Sequence, residues 1–560
     1  MASLRRTGGR VAIWAALALA STAFSAPAGA ASPQAAAARV VDDRPFRILD
    51  APLAMGAHVD IEPLTLEDGT ELVLEVTPVE VFAKNVEIVV HSANGDSHIA
   101  PPSDHWFAGR VVGDPESFVV LARGTTLRGL VVTGTRVAAI SPEGDAYGTR
   151  PAGPSFVRSF SPENDVPEAM RNFTCGADLL TNPLGVPRMP PSSASSARRP
   201  LTSVMYYAGV AVETDYEMFQ TKGSAPALTQ YVGDLFAAST AIYQRDLLLT
   251  LQVNYLSIWT TPSDPWVATT SIDGLNEFGD YWHANRTAVP RKTAHFLSGR
   301  NLGGGVAWVG VLCSGDFFQN GHWGGGYGIS GNMSGQFSTS NPGLYWDLFV
   351  VTHEIGHNFG TRHTHCYSPP VDMCYSGESG CYSGPTSVPL QLGTIMSYCH
   401  TQPGGFSNDK LFFGVAGEPS QAVTTLMRNY IEGNASCFGT VPGPVVSGIS
   451  PSTGPTSGST PVTITGSGFA APATIKIQGG LATSVVVVNA STLTAVTPAG
   501  TTGAADVSVI VTGNQGATLV GGYNYTTGLP PPVVTAVSPS NGSTLGGCLL
   551  YTSPSPRDCS

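Results

Sequence analysis

Charged residues are scarce in this chain, and basic residues are the scarcer kind. Only 12% of the 560 residues are charged, and 28 Lys and Arg face 40 Asp and Glu, so the formal net charge is -12. This balance argues against a nucleic-acid partner, because no basic patch is available to displace phosphate counterions. Long apolar runs are also missing from the rest of the chain after the N-terminus. No segment there reaches the about 18 apolar residues that a membrane helix needs.

The N-terminus itself is apolar. Three arginines among the first ten residues precede an apolar run at 11–24, and a small-residue cleavage pattern follows at 28–30. This order is typical of a secretory signal peptide, so we expect residues 1–30 to be removed and the protein to be secreted. A membrane anchor is the alternative, but the run is short and wrongly flanked for one. Export would permit disulfide bonds.

Composition divides the next 400 or so residues into two regions. Residues 31–199 are β-rich, with strand-forming segments such as Val86–Val90, and end in a Ser- and Pro-rich stretch that offers a processing site at Arg198–Arg199. Residues 200–440 show a mixed α/β pattern, in which apolar residues recur at helical spacing from Ala227 to Arg245.

The C-terminal part is rich in Gly, Ser, Thr and Val, and it alternates with a period of two, which predicts an all-β sandwich. Residues 444–526 resemble the IPT/TIG immunoglobulin-like domains. The octet at 445–452 recurs at 533–540, so residues 531–547 are interpreted as the start of a second, truncated repeat. Residues 548–560 break abruptly with this pattern and resemble a translated sequencing-adapter tail, which we treat as an artefact.

One run of eleven residues, HEIGHNFGTRH from His353 to His363, carries the chemistry. On a helix over residues 344–359, His353 and His357 lie on one face, one turn apart. Two imidazoles at this spacing can bind one Zn²⁺, and His363 can approach as a third ligand after the helix ends. Three histidines leave a position open for a water molecule, whose proton Glu354 can accept as general base.

A bare HExxH pattern occurs by chance, and a helix whose histidines are satisfied by other partners is the alternative. The longer HExxHxxGxxH pattern removes most of that ambiguity. Downstream, the segment Gly393–Tyr398 (GTIMSY) resembles the Met-turn of the metzincin zinc proteases. That resemblance implies that Met396 packs beneath the three histidines, whereas core packing would be the default for an isolated methionine.

Within the metzincins, the chain is similar to the reprolysin-like, or adamalysin-type, proteases. The helix sequence, the cysteines on both sides of the Met-turn and the segments Phe107–Val111 and Ser117–Val120 carry this resemblance. It implies an α+β catalytic domain at 200–440, with a twisted mixed sheet, helices and a zinc cleft. A β-rich propeptide at 31–199 would precede this domain, and the all-β Ig-like sandwich would follow it.

The chain departs from the adamalysin pattern in two places. Thr364 follows the third histidine, where adamalysins usually have Asp. Tyr398 resembles a tyrosine of astacins and serralysins that can touch zinc, which makes it a candidate fifth ligand or oxyanion donor; a tyrosine of the core or the substrate wall is the alternative. We expect His365 in a supporting or surface position and His400 in a structural one.

The cysteine count is nine, and an odd number needs an explanation. Two cysteines lie in the C-terminal tail. Six others, between residues 313 and 437, can form three disulfides in fifteen ways, among which sequence cannot choose. The family resemblance, together with loop length, favours Cys313–Cys437, Cys366–Cys399 and Cys374–Cys381.

Cys175 then remains without a partner. A thiolate is a good zinc ligand. We therefore hypothesise that Cys175 occupies the open zinc position in a zymogen, and that cleavage near Arg199 releases it. The alternative is a buried free thiol, or a partner among the tail cysteines.

The sequence thus predicts a secreted zinc endopeptidase, made as a zymogen, that hydrolyses proteins or peptides. The competing hypothesis is an adhesion or binding protein in which the Ig-like region dominates and proteolysis is restricted to one target. One Zn²⁺ is the expected cofactor; Ca²⁺ would have to be bound by scattered oxygens, since no Asp-rich loop supports it. The sequence leaves the oligomeric state open.

Overall fold

A computed structural model describes ten stretches of the chain, namely residues 38–50, 59–134, 136–142, 153–160, 173, 175–180, 204–335, 343–470, 473–511 and 516–527. The predicted signal peptide, the processing site at Arg198–Arg199, the second repeat and the C-terminal tail lie outside these residues. Within the described stretches, no helix is both long enough and apolar enough to cross a membrane.

The described residues of the N-terminal region form ten strands, which confirms that the region is β-rich. They are β1 (Arg39–Val40), β2 (Val59–Thr65), β3 (Glu71–Val79), β4 (Phe82–Ser92), β5 (Gly95–His98), β6 (His105–Val111), β7 (Asp114–Arg123), β8 (Leu127–Thr133), β9 (Arg136–Pro142) and β10 (Ser155–Phe160). Eight of them form an antiparallel sheet in the order β1-β10-β9-β8-β7-β6-β3-β2. In β3, Leu72, Leu74 and Val76 are buried at alternate positions, as a sheet with one covered face requires.

The central region is mixed α+β, as expected. Its elements are β11 (Val204–Thr214), α1 (Tyr216–Lys222), α2 (Ala225–Leu247), β12 (Leu249–Trp259), α3 (Ser271–Asn285), β13 (Thr293–Leu297), β14 (Gly305–Ala307), β15 (Phe317–Gln319), β16 (His322–Gly324), β17 (Tyr327–Ser330), α4 (Gly343–Asn358), α5 (Gln421–Gly433) and β18 (Gly439–Pro442). Helix α2 begins after Ser224, whose hydroxyl accepts the N–H of Ala227 and so caps the first turn.

The central sheet crosses the expected boundary between the propeptide and the catalytic domain. Its strand order is β14-β17-β13-β11-β12-β4-β5, and β18 pairs with the first residues of β11. Strands β11, β12, β13 and β17 are parallel, whereas the edge strand β14 is antiparallel to β17. Strand β4 of the N-terminal region lies parallel to β12, with Ile88 opposite Leu256. The N-terminal region therefore covers an edge that β12 would otherwise expose.

A buried ionic cluster joins the N-terminal sheet to helix α2. The Arg128 guanidinium donates to Asp234 of the helix through Nε at 2.7 Å and to Asp104 through Nη2 at 2.8 Å. The indole N–H of Trp106 also donates to Asp234, at 2.8 Å. All four side chains are buried. Because charges removed from water need full pairing, this cluster favours one arrangement of the two regions.

The C-terminal region is all-β, as expected. Its strands are β19 (Val445–Ser450), β20 (Thr453–Pro455), β21 (Pro461–Ser467), β22 (Thr474–Ile477), β23 (Gly480–Leu481), β24 (Thr483–Asn489), β25 (Thr492–Val496), β26 (Gly503–Ile510) and β27 (Gly516–Thr526). They form two sheets, in the orders β19-β21-β25-β24 and β20-β27-β26-β22-β23. Inward residues such as Ile464, Ile475 and Tyr523 fill the core between them.

The buried cluster makes a prediction about stability. Replacing Arg128 with Leu leaves two carboxylates buried without their cation, so the free energy of unfolding should fall by about 3–5 kcal/mol. Urea denaturation of the full chain, followed by tryptophan fluorescence, measures this change. The matched control is Arg136→Leu in the same sheet, because its pair with Asp68 lies at the surface and should contribute little. Equal effects of the two substitutions would contradict the prediction.

Candidate active site

Helix α4 carries the first part of the sequence motif. Its central turns are apolar and buried, so its histidines face the interior of the molecule. His353 and His357 lie one turn apart, as predicted. The helix ends at Asn358, and Gly360 adopts a φ of 88°, a left-handed conformation that glycine adopts readily. The chain then reverses and brings His363 back towards the helix.

Four side chains converge on one point. Nε2 of His357 lies 3.1 Å from Nε2 of His353 and 3.2 Å from Nε2 of His363. Sγ of Cys175, from the N-terminal region, lies 3.5 Å from the same Nε2 of His357. The four atoms are all within 4.8 Å of one another, and all four residues are buried.

Nδ1 of each imidazole, the nitrogen that points away from the cluster, has its own hydrogen-bond partner. Nδ1–H of the first two histidines donates to backbone carbonyls, that of Ile395 at 2.6 Å and that of Thr361 at 2.9 Å. Nδ1–H of His363 donates to the carboxylate of Glu378 at 2.6 Å. A neutral imidazole has only one N–H, so each Nε2 presents a lone pair to the others. Three lone pairs that face one another repel, and a cation between them would relieve that repulsion.

The spacing of these atoms fits a zinc ion. A tetrahedron with nitrogen at about 2.0–2.1 Å and sulfur at about 2.3 Å from the metal has N–N edges of about 3.3 Å and N–S edges of about 3.6 Å. The two N–N distances of 3.1 and 3.2 Å and the N–S distance of 3.5 Å are close to these edges. His353, His357, His363 and Cys175 could therefore hold one Zn²⁺.

Burial sets the protonation of this cluster. It lowers the pKa of His357 to about 3, and the neighbouring His363 contributes to the shift. Burial also lowers the pKa of His353 well below its usual value. The pKa of Glu354 is raised well above its usual range by burial, and a divalent cation nearby would oppose that shift. Neutral imidazoles are the form that binds a metal.

Glu354 lies beside the point where the three imidazoles meet, and it does not belong to the group of four residues that could hold a metal. The Cys175 thiol donates to its Oε2 at 3.3 Å. Strand β14 passes so close that a Cβ at Gly305 would lie 2.5 Å from Oε1 of Glu354. The carboxylate is therefore enclosed between the edge strand and the histidine cluster.

Comparison with known families assigns the domains. Residues 207–412 match the family model for metallo-peptidase family M12, and residues 444–527 match the IPT/TIG domain. The chain contains an M12 metallopeptidase domain. Both the expected metallopeptidase and the expected C-terminal IPT/TIG domain are confirmed.

Relatives of the whole chain are remote. No curated protein matches it. Among solved structures, metalloproteinase-II from Bacteroides fragilis is similar over 63% of this chain and 93% of that one, at 12% sequence identity and a TM-score of 0.32. A likeness of this size supports no argument about fold or function.

Met396 of the M12 domain packs against helix α4. Its side chain is fully buried, and its Sδ would lie 3.0 Å from a Cβ at Gly356, on the helical turn between the first two histidines. Its carbonyl accepts the N–H of Thr364 at 3.1 Å. Thr364, which stands where adamalysins usually have Asp, therefore connects the histidine run to the Met-turn.

Tyr398 touches both the cluster and the N-terminal region. Its hydroxyl accepts the N–H of Cys175 at 2.7 Å and donates to the Cys175 carbonyl at 3.1 Å. The same oxygen lies 3.2 Å from Nε2 of His363. Burial raises the pKa of Tyr398 well above its usual value, so the phenol stays protonated and can donate a hydrogen bond.

Phe173 also enters the site, and the sequence analysis missed it. Its buried ring lies edge-on to Trp346 at 5.0 Å and stacks on His400. Its carbonyl accepts Nε2–H of His400 at 2.9 Å. A Cβ at Gly304 would lie 2.0 Å from the ring, so only glycine leaves it room. The one available signal was its place two residues before Cys175.

Two of the three expected disulfides are wrong. Cys313–Cys437 forms as expected, but the other pairs are Cys366–Cys381 and Cys374–Cys399. The reason is a loop that folds back on itself: Tyr382 N–H donates to the carbonyl of His365 at 3.0 Å, which brings residues 366 and 381 together. Cys374 is then left facing Cys399 beside the Met-turn.

The same loop explains a second omission of the sequence analysis. Glu378, between Cys366 and Cys381, binds both His363 and His365. Burial alone would raise the pKa of Glu378, but the hydrogen bonds from the two histidines lower it overall. His365 is buried and supports Glu378, which is the supporting position expected for it. Nothing in the sequence marked this glutamate, because its spacing from the histidines follows no known metal motif.

The disulfide pairing can be checked chemically. Cyanogen bromide cleaves after Met373 and Met396, and a glutamate-specific protease cleaves after Glu354 and Glu378, so the four central cysteines fall on separate peptides. Without reduction, mass spectrometry should find peptide 355–373 joined to 379–396. Peptide 374–378 should be joined to the fragment that begins at Ser397. A link between peptide 355–373 and that last fragment would instead support the pairing favoured by family resemblance.

Proposed function

We propose that this protein is a secreted zinc endopeptidase of the metzincin type, synthesised as a zymogen. One observation carries the proposal: three buried imidazoles direct their Nε2 lone pairs at one point, with a carboxylate beside it. His353, His357 and His363 are the proposed ligands of a single Zn²⁺. The disulfides fit an oxidising compartment, as does the predicted signal peptide.

Glu354 is the proposed general base. When bound, Zn²⁺ would polarise the scissile carbonyl and lower the pKa of a water molecule. Glu354 accepts a proton from that water while the water oxygen bonds to the carbonyl carbon. Glu354 then returns the proton to the amide nitrogen as the C–N bond breaks, so a carboxylic acid and an amine leave.

Tyr398 is proposed to stabilise the oxyanion of the attacked carbonyl. Its hydroxyl already donates to a carbonyl, that of Cys175, while it lies 3.2 Å from Nε2 of His363. A substrate carbonyl that replaces this group could receive the same hydrogen bond. This role agrees with the oxyanion interpretation drawn from sequence and requires no fifth metal ligand.

Cys175 is the proposed latch of the zymogen. Its sulfur lies at the distance from His357 expected of a fourth zinc ligand, and its thiol contacts the proposed base. Two hydrogen bonds hold the segment in the cleft: Tyr398 donates to the Cys175 carbonyl, and His400 donates to the Phe173 carbonyl. The segment thus denies the metal position to water and the neighbouring space to substrate.

Loss of the base tests the enzyme proposal. In the processed protein, Glu354→Gln keeps the shape of the side chain but cannot accept the proton, so casein hydrolysis should fall by about 100- to 10,000-fold. Chelation should abolish the wild-type activity, and added Zn²⁺ should restore it. The control is Glu432→Gln on helix α5, whose glutamate pairs with Arg428 far along the chain from the motif.

The same assay addresses the binding-protein alternative. A chain that ends at Pro442 retains β18, the last strand of the central sheet, and should hydrolyse casein as the longer protein does. Activity that survives both Glu354→Gln and chelation would contradict the enzyme proposal and favour a role for the Ig-like region.

Removal of the thiol tests the latch. Arg198→Ala and Arg199→Ala together should keep the precursor uncleaved and inactive. Adding Cys175→Ala to this background opens the fourth position, so the uncleaved precursor should gain measurable casein hydrolysis. The control is Cys175→Ala in a precursor with both arginines intact, whose processed product should be as active as that of the wild type. An uncleaved Cys175→Ala precursor that stays fully inactive would contradict the latch.

A further inference from the structure

The loop between Cys366 and Cys381 delivers a single carboxylate oxygen to two histidines. Oε2 of Glu378 accepts Nδ1–H of His363 at 2.6 Å and Nε2–H of His365 at 2.8 Å. The three side chains are at most 4% exposed. The carboxylate is therefore removed from water, and its Oε2 is satisfied by these two hydrogen bonds.

The partner of His363 differs in kind from those of the other proposed ligands. His353 and His357 donate to neutral backbone carbonyls, whereas His363 donates to an anion. A carboxylate fixes the proton on Nδ1 more firmly than a carbonyl does, and it makes the opposite nitrogen a stronger donor to a metal. His363 also comes from the turn after helix α4, so the helix itself does not orient its ring.

His365 supports the carboxylate. Its Nδ1 has no hydrogen-bond partner among the described residues. The ring therefore carries its proton on Nε2, and this N–H donates a hydrogen bond to Glu378. The rings of His363 and His365 are nearly parallel, with an interplanar angle of 11°. Arg362 approaches the other carboxylate oxygen at 4.0 Å. These groups hold the carboxylate in one place.

The disulfide that closes the loop also holds the carboxylate in place. Cys366 follows His363 by three residues, and Cys381 follows Glu378 by three residues, so the disulfide between them closes the loop with the carboxylate facing the imidazole. Closure limits the conformations that the loop could adopt without this contact.

We propose that Glu378 is a positioning residue for the third metal ligand, and that His365 holds Glu378 for this task. This inference rests on the proposed function, because it assumes that His363 binds Zn²⁺. A loop outside the HExxHxxGxxH motif would therefore contribute to the affinity of the site for Zn²⁺. Glu378 itself touches neither the metal position nor the substrate.

The measurement is zinc affinity rather than activity alone. In the processed protein, Glu378→Gln keeps the size of the side chain but removes its charge. Its dissociation constant for Zn²⁺, from competition with a chromophoric chelator, should rise about 10- to 100-fold. At saturating Zn²⁺ its kcat/KM on casein should return to near the wild-type value. His365→Gln leaves the contact between Glu378 and His363 intact and should weaken zinc binding less.

The matched control is Asp347→Asn on helix α4. This buried carboxylate accepts the hydroxyl of Tyr231 at 2.5 Å and the N–H groups of Ser334 and Gly335, so it is held without a contact to the proposed metal ligands. Its loss should lower the thermal midpoint while leaving the zinc dissociation constant within a factor of about 3 of the wild-type value. The comparison separates a positioning effect from a general loss of stability.

Each outcome has a defined meaning. Wild-type protein that binds no Zn²⁺ would defeat the proposed function itself. Wild-type protein that binds Zn²⁺ no more tightly than Glu378→Gln would overturn only the present inference. If Glu378→Gln does not fold, His365→Gln decides: a zinc dissociation constant unchanged from wild type overturns the inference, and a rise of several-fold supports it.

Discussion

Three imidazole lone pairs that meet at one buried point are the constraint around which this structure is arranged. Buried acceptors without a donor are costly, because they have lost their hydrogen bonds to water. Among the residues that the structure describes, no side chain donates to all three at once. A cation would resolve this conflict, and the distances of His353, His363 and Cys175 from His357 suit Zn²⁺.

The rest of the central region keeps those lone pairs in place. Helix α4 supplies two imidazoles at fixed spacing, and the turn at Gly360 supplies the third. The Met-turn supplies the Ile395 carbonyl beneath His353, and the disulfide-closed loop supplies Glu378 behind His363. Each ring is thus oriented from a different segment of the chain, so the site depends on the packing of the whole region.

The N-terminal region meets the same site from outside. In the proposed zymogen, Phe173 and Cys175 block the cleft, while the region that carries them is anchored elsewhere. One anchor is the ion cluster around Arg128, and the other is the pairing of β4 with β12. These anchors do not involve the thiol, so they can hold the blocking segment near the cleft even when its sulfur leaves the metal position.

The sequence by itself determined the helix with His353 and His357 from local spacing, the return of His363 from the glycine that ends that helix, and the three regions from their composition. The Met-turn was found by its resemblance to the metzincins, and Cys175 was singled out by an odd cysteine count. Only the tertiary structure decided the pairing of four cysteines, the approach of Glu378 to His363 and the entry of β4 into the central sheet. Helical and strand spacing are repeated along the chain and can be counted. Contacts between distant segments depend on how loops fold back. The spacing of residues along the chain does not show which distant residues a loop brings together.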